Sequence, residues 1–326
     1  MAGALAVSRS NLTHPLVSVV VATRNRPEAL RRCLEGIAAQ SHWTLEVLVA
    51  DDGSNEATRA AYPALCPALD GRVRWLLPKC ADAPGTGPAA ARNRGLRAAT
   101  GAFVAFCDDD DRWIRDDHVS TGVRALEAAG ADFYFANLIA TRDGKESADY
   151  RFFREVERLQ QGPIVLEAPV VFAPDLASVM RVVGGSVIHP DAWLVRKALL
   201  DEVGEFWERL WFPEDYDLMM RVLDRARSIL FRPDACVDYQ LPVSGAHSLR
   251  TSALEKVLQE LLAAQHARVM CRRGIVRRHA RAREGWAFRR LARELRADGR
   301  ALDARAFAWQ GFCTYPTPGA LKDLLR

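Results

Sequence analysis

The N-terminal part of the chain alternates between two apolar patterns. Leu16 to Thr23 (LVSVVVAT) is a continuous β-branched run, as expected of a strand buried on both faces of a parallel sheet. It breaks at RNRPEAL, where Pro27 suits the first turn of a helix, and Leu30, Cys33, Leu34 and Ile37 then recur at helical spacing up to Gln40. A second run, Leu45 to Ala50, ends in the turn-forming DDGSN, which opens another helix. A third, Val73 to Pro78, leads through the Gly/Pro-rich DAPGTGP into an alanine-rich helix stopped by Gly101. Ala102 to Cys107 is the fourth. Strand and helix alternating at this spacing predict an α/β fold with a mostly parallel sheet.

Further along, residues 116–130 read as a helix, 131–141 as a strand and RDGK as a turn. Residues 145–180 have weaker periodicity and more proline, which suggests an irregular segment shaping an acceptor pocket. AWLVRKALLDEVG (192–204) reads as helical throughout. FPEDYDLMMRVLDRA opens a helix with acids at its positive end. Residues 251–309 are almost purely helical and rich in arginine. Three parts follow: an extension over 1–15, an α/β domain over 16–250 and a basic helical region over 251–326.

Ligands of such sheets bind outside the carboxyl ends of the strands. Those ends here are Thr23-Arg24-Asn25, Asp51-Asp52-Gly53-Ser54 and the run Asp108, Asp109, Asp110, Asp111. Adjacent carboxylates repel and raise one another's pKa unless they share a cation. A solvated acidic turn is the plain alternative, but it gives no reason for the run to follow a buried strand directly and end in Trp113. Hard divalent ions, Mg²⁺ or Mn²⁺, take carboxylate oxygens together with phosphates, and would neutralise a diphosphate leaving group. PGTGPAAARNRG lacks the GxGxxG dinucleotide pattern and follows the third strand, not the first. Arg92 within it reads equally as a phosphate contact or as an ordinary exposed helix arginine. In WFPEDYDLMMR, Glu214, Asp215 and Asp217 favour a helix N-terminus, and one of them suits a general base acting on a hydroxyl.

Composition adds a contrast between regions. The 326 residues are 49% hydrophobic and 26% charged with net charge +4. Residues 251–326 carry 16 Lys and Arg against 7 Asp and Glu, whereas residues 1–250 carry 29 against 34. An acidic body of this kind manages a cation and gives no footprint for nucleic acid. Seven scattered cysteines without CxxC spacing read as reduced structural thiols. No apolar run approaches the roughly 18 residues of a membrane span, and the N-terminal stretch lacks the pattern of a secretory signal, so a cytoplasmic location is expected.

In order and spacing, VSVVVATRNRPEALRRCLEGIAAQ, LEVLVADDGSNEAT, GPAAARNRGLRAATGAFVAFCDDDDRW, VGGSVIHPDAWLVRKALLDEVGEFWERL and PEDYDLMMR resemble a family 2 glycosyltransferase. The resemblance covers residues 16–250. It implies the GT-A fold, Rossmann-like with a mostly parallel central sheet flanked by helices, here with a helical C-terminal extension. The implied activity is an inverting hexosyl transfer from a nucleotide-diphosphate sugar, of the UDP-sugar type, to an acceptor hydroxyl, assisted by Mn²⁺ or Mg²⁺. Carried across by motif, Thr23 and Arg24 line the nucleoside pocket, Asp52 contacts the base with Asp51 beside it, and Arg92 lies near the donor phosphates. Asp108 and Asp109 lie toward ribose and sugar, Asp110 ligates the metal, and Asp111 supports from behind. Asp215 matches the catalytic base, Glu214 sits beside the acceptor, and His247 matches a histidine near the metal. Gly184 and Gly185 either let the backbone approach the sugar closely or belong to a simple loop. Arg26-Pro27 leaves no aromatic to stack on the base, a role the guanidinium plane of Arg24 would fill.

Two other readings compete. A nucleotidylyltransferase of similar fold generally carries an N-terminal Gly-rich loop, which VVVATRNRPEA lacks. A silent nucleotide-sugar-binding scaffold would have no use for Asp110 and Asp215. The acceptor, whether saccharide, lipid-linked glycan or small metabolite, is not readable. In the tail, Leu254, Val257, Leu258, Leu261 and Leu262 suit packing on the domain or a partner helix, including a second copy of the chain. The arginine cluster from Arg272 to Arg296 suits anionic lipid headgroups at a membrane surface, or plain solvation.

Overall fold

The computed structural model describes residues 14–142, 144–147, 153, 155–184, 187–241 and 252–325. The expected alternation is present as β1 (Val17–Thr23), α1 (Pro27–Ala38), β2 (Leu45–Asp51), α2 (Glu56–Ala61), β3 (Val73–Leu76), α3 (Pro88–Ala98) and β4 (Phe103–Phe106). Pro27 does open α1, and the Asn55 side chain caps α2 by accepting from Thr58 N–H. Then come β5 (Arg112–Trp113), α4 (His118–Ala129), β6 (Phe133–Arg142), β7 (Lys145–Glu146), β8 (Ile164–Glu167), β9 (Val170–Phe172) and α5 (Leu176–Val183). The chain continues through β10 (Trp193–Arg196), α6 (Lys197–Val203), α7 (Glu214–Arg225) and β11 (Ile229–Gln240). It closes with four helices, α8 (Ala253–Met270), α9 (Gly274–Ala297), α10 (Ala301–Thr314) and α11 (Pro318–Leu325).

The strands form one sheet in the order β3-β2-β1-β4-β10-β6-β11-β9-β8, with β5 paired to β11 and β7 to β6. Strands β3, β2, β1 and β4 pair in parallel, as do β6 and β11; β10 runs against both β4 and β6. Six of the central strands therefore share one direction, and β10 is the reversed strand between them. Thr23, Asp51 and the aspartate run accordingly emerge at one edge.

Two expectations need correction, and one strand had no expectation at all. Residues 192–204 are not one helix, because Trp193–Arg196 is a strand and the helix starts only at Lys197. Four residues are too few to show a period of two, and the helical signal of 197–203 masked them. The segment 145–180 is more regular than expected and contains the β8–β9 hairpin and α5. Strand β11, twelve residues long, gives little alternation because its register shifts twice between Arg232 and Val237, around Pro233.

One core runs through the sheet and its helices. Ala263, Ala267, Cys271, Val276 and Ala280 belong to it, so α8 and α9 continue the body of the molecule. A second cluster, built on Val257, Phe288, Leu291 and Leu295, joins the C-terminal helices to each other. All seven cysteines are free thiols, and no described helix is long and apolar enough to cross a membrane.

Helix α3 lies so close on β1 that a Cβ added to Gly95 would sit 2.3 Å from Val20 Cγ1. Alanine is the better helix former by about 1 kcal/mol, but a contact this short must be relieved by moving the helix or the strand, at about 1–3 kcal/mol. Gly95→Ala is therefore expected to lower the denaturation midpoint, measured in urea; a stabilised variant would show that α3 is free to lift from the sheet.

Candidate active site

The carboxyl ends of β1 and β2 are fastened to each other before any ligand is considered. Asp52 N–H donates to Thr23 carbonyl at 2.9 Å, and Asn25 N–H to Ser54 Oγ at 2.8 Å. Asn25 has φ 55°, the left-handed region that Asn tolerates better than most residues. Asp51 is fully buried with both oxygens engaged, accepting from Ser54 N–H at 2.9 Å and Arg59 Nε at 2.8 Å. Asp51 thus holds the β2–α2 loop.

Asp52 faces the loop 85–87. It accepts from Thr86 N–H (2.9 Å), Thr86 Oγ1 (2.6 Å) and Gly87 N–H (2.9 Å), and so draws the loop onto the sheet edge. A Cβ on Gly85 would lie 1.9 Å from Arg24 Nη1, so the absence of a side chain there makes room for the Arg24 guanidinium. Arg24, Asp52 and Gly85 lie together at the polar edge of the sheet.

The aspartate run lies at the same edge, and its four members occupy different environments. Arg92, almost fully buried, donates to both oxygens of Asp108 (2.6 and 2.9 Å) and to Glu214 Oε1 (2.7 Å). Burial works to raise Asp108, but the charge and hydrogen bonds of Arg92, together with His189 and Arg26, hold the carboxyl below the ordinary range. Burial, with repulsion from Asp215, pushes Glu214 up to about 7 against the pull of Arg92. Asp109 accepts from Thr23 Oγ1 at 2.8 Å; burial and the neighbouring Asp110 push it up to about 7 as well. Arg26 Nη1 lies between Asp109 Oδ1 (3.1 Å) and Asp110 Oδ2 (2.7 Å). Asp110 is the open member, with its side chain 46% exposed, and burial together with Asp108 still raises it.

Asp111 points the other way. Its Oδ1 accepts from Gln240 N–H at 2.8 Å, while Oδ2 faces the buried Asp191, which receives Asp108 N–H at 3.1 Å. Burial and Asp191 push Asp111 well above the ordinary carboxylate range. His189 Nδ1 lies 3.6 Å from Asp191 Oδ1 and 4.0 Å from Asp111 Oδ2. Neither of those two carboxylate oxygens has a hydrogen-bond partner among the described residues. Ligand atoms of Asp108, Asp111 and His189 fall within 4.8 Å of one another. An all-oxygen-and-imidazole donor set with orphaned buried oxygens fits a hard divalent ion.

Asp215, at the first turn of α7, is partly exposed and accepts from Tyr216 N–H at 2.7 Å. Glu214 beside it is turned inward to Arg92. Gly184, with φ 47°, ends α5, and an added Cβ would only touch the Arg181 carbonyl at 3.4 Å and the Val182 carbonyl at 3.9 Å. Gly185 and His247 lie outside the described residues. The structure thus brings Thr23, Arg24, Asp52, Arg92, Asp108, Asp109, Asp110 and Glu214 to one edge of the sheet. It adds Arg26, His189 and Asp191, which the sequence reading gave no role in the site. The stretch IHPDAW carries the latter two just before β10, and an unrecognised strand concealed that they face the aspartates.

A mostly parallel sheet with an acidic strand end at its polar edge is the GT-A glycosyltransferase architecture. S. aureus TarS in complex with UDP-GlcNAc superposes with TM-score 0.64 at 18% identity, over 90% of this chain and 80% of that one. The mannosyltransferase PcManGT from Pyrobaculum calidifontis, in complex with GDP-Man and Mn²⁺, gives 0.57 at 19%, over 95% and 83%. The chain itself belongs to glycosyl transferase family 2, whose model matches residues 18–203. Among curated relatives, the succinoglycan biosynthesis protein ExoO of Rhizobium meliloti (strain 1021) is 38% identical over 164 residues, 48% of this chain and 44% of that protein. The GalNAc(5)-diNAcBac-PP-undecaprenol beta-1,3-glucosyltransferase of Campylobacter jejuni is 31% identical over 136 residues, 42% of each. The chain therefore spans less than half the length of either relative.

The environment of Asp109 has a measurable consequence. Its ordinary value is about 3.9, and it rises to about 7 in the folded chain. Between these values the folded state binds more protons, so its contribution to stability is full below pH 4 and is lost as pH rises through 7. In metal-free buffer, the stability of the wild type relative to Asp109→Asn is expected to fall between pH 4.5 and 7.5, measured by urea denaturation. A difference independent of pH would place Asp109 in a water-like environment.

Proposed function

We propose that this chain is a metal-dependent inverting glycosyltransferase that moves a sugar from a nucleotide-diphosphate donor, of the UDP-sugar type, to an acceptor hydroxyl. The observation that carries the reading is the double ion pair of Arg92, which ties the acidic end of β4 to the helix that presents Asp215. A donor-side motif and an acceptor-side base are thereby held at a fixed relation, as a displacement at one carbon requires.

In this reading Asp215, the partly exposed carboxylate of α7, takes the proton of the acceptor hydroxyl. The hydroxyl oxygen bonds to the anomeric carbon as the sugar–phosphate bond breaks on the opposite face, and the electron pair leaves with the diphosphate. Configuration inverts. Glu214 positions the base by holding Arg92, and Thr23 orients Asp109. Arg24 and Asp52 line the nucleoside side of the cleft, and Arg92 supplies fixed positive charge near the departing phosphates. Mn²⁺ or Mg²⁺, when bound, neutralises the diphosphate charge. Asp110 is the proposed ligand because it opens to the cleft, with His247 as its proposed partner; Asp108, Asp111 and His189 form a second donor group behind it. Gly184 and Gly185 are proposed to let the backbone approach the donor sugar closely.

The names of the relatives support a saccharide or lipid-linked glycan as acceptor. A cytoplasmic enzyme meeting such an acceptor at the membrane face would use the arginine-rich α9, on which Trp286 is more than half exposed, as is Trp309 on α10.

Melting curves with UDP and GDP, each with and without Mn²⁺, test the donor class, because a ligand of the folded state raises apparent stability. A shift with one nucleotide that requires Mn²⁺ is expected; no shift with either removes the reading. Sugar transfer is expected to fall at least about a hundredfold in Asp215→Asn, the usual contribution of a general base, with the nucleotide shift retained. Undiminished transfer would assign the base elsewhere.

A further inference from the structure

Arg26 has no part in the transfer just described, yet it makes the closest ionic contact with the open end of the aspartate run. Its Nη1 reaches Asp110 Oδ2 at 2.7 Å and Asp109 Oδ1 at 3.1 Å. Resting on the metal-dependent reading above, we propose that Arg26 is a tethered counter-cation: it occupies the carboxylates while the donor is absent, yields them to the divalent ion, and is taken over by the donor diphosphate.

The two arginines of the site differ in how firmly they are held. Arg92 has a side chain 8% exposed and bonds to carboxylates from two separate elements, so removing it from either strands a buried charge. Arg26 is 40% exposed and its closer partner Asp110 46%, while its other partner Asp109, 7% exposed, keeps the hydrogen bond from Thr23 Oγ1 when the guanidinium leaves. A solvated pair such as Arg26–Asp110 contributes little and opens readily. Arg92 is therefore fixed and Arg26 exchangeable.

Exchange follows from simple electrostatics. A divalent ion on Asp110 competes with Arg26 for the same carboxylate charge, and an ion and a guanidinium on one carboxylate pair repel each other. Metal binding without donor must expel Arg26 into water. With donor present the expelled guanidinium finds phosphate oxygens, which its planar fork matches. Arg26 sits two residues from Arg24 on the loop after β1, beside the proposed nucleoside wall, so the path is short. Metal and nucleotide then bind cooperatively, each strengthening the other by the same factor. A site arranged this way stays unloaded by metal alone and closes its charge balance only with the complete donor.

Mn²⁺ binding to the full chain, followed by electron paramagnetic resonance with and without UDP, tests this without reference to activity. Arg26→Gln is expected to bind Mn²⁺ alone at least about fivefold tighter than wild type, and to show a smaller gain on adding UDP. Arg32→Gln removes an equal charge from an exposed residue of α1 that has no part in the proposed donor site, and is expected to stay within about twofold. Both side chains are solvent-accessible, and a thermal melt checks that each variant is folded. Unchanged Mn²⁺ affinity in Arg26→Gln, or an equal gain in Arg32→Gln, overturns the role of Arg26 while leaving the metal reading intact. Absence of Mn²⁺ binding in every chain, with or without UDP, overturns the metal reading and this role together.

Discussion

Arg92 is buried with its guanidinium between Asp108 and Glu214, and that double ion pair sets what the rest of the molecule has to do. A desolvated arginine is tolerable only with its carboxylates in place, and the carboxylates only with the arginine. The strand end and α7 are thereby joined across the edge of the sheet. The cost appears in the neighbours: Asp109, Asp110, Asp111 and Asp191 share the remaining space with Arg26 as a partial counter-charge, and burial raises all four. An edge under this strain favours a bound cation, which connects the folding problem to the chemistry.

The C-terminal helices belong to the same arrangement. Asp217, one turn into α7 and fully buried, accepts from Arg221 and pairs with His266 Nδ1 at 2.6 Å, while the His266 ring stacks on Trp207 at 4.2 Å. Asp224, at the other end of α7, accepts Arg272 N–H and Arg273 N–H between α8 and α9. Helix α7 is thus held by Glu214 in front and by α8 and α9 behind. In the proposed transfer, the carboxylate of Asp215 meets an acceptor hydroxyl within a few tenths of an ångström and needs such bracing, which gives the basic tail a structural task apart from any surface it presents.

Legibility followed the length of each signal. The β-branched runs of β1 and β2, proline at the start of α1 and the arginine-rich helices were readable because each repeats one cue over many residues. Strand β10 was hidden by its shortness, and with it the placement of His189 and Asp191. Strand β11 was hidden by its bulged register around Pro233. Within the site, the convergence of the three strand ends was legible, since parallel pairing forces it. The division of labour among the four aspartates was not, because it depends on which arginine each one meets. Arg92 reads equally as an exposed helix residue, and only tertiary packing shows it buried. Arg26 stands at the N-terminus of α1, where nothing local announces that its guanidinium crosses to Asp110.

The central claim is that the open end of the aspartate run receives a divalent ion together with a nucleotide diphosphate. Anomalous diffraction from a crystal grown with Mn²⁺ and UDP locates the ion directly. The expected result is one Mn²⁺ peak within coordination distance of the Asp110 carboxylate, with the Arg26 guanidinium withdrawn from it. A peak remote from all four aspartates, or Arg26 still bridging Asp109 and Asp110 with the nucleotide bound, would contradict it.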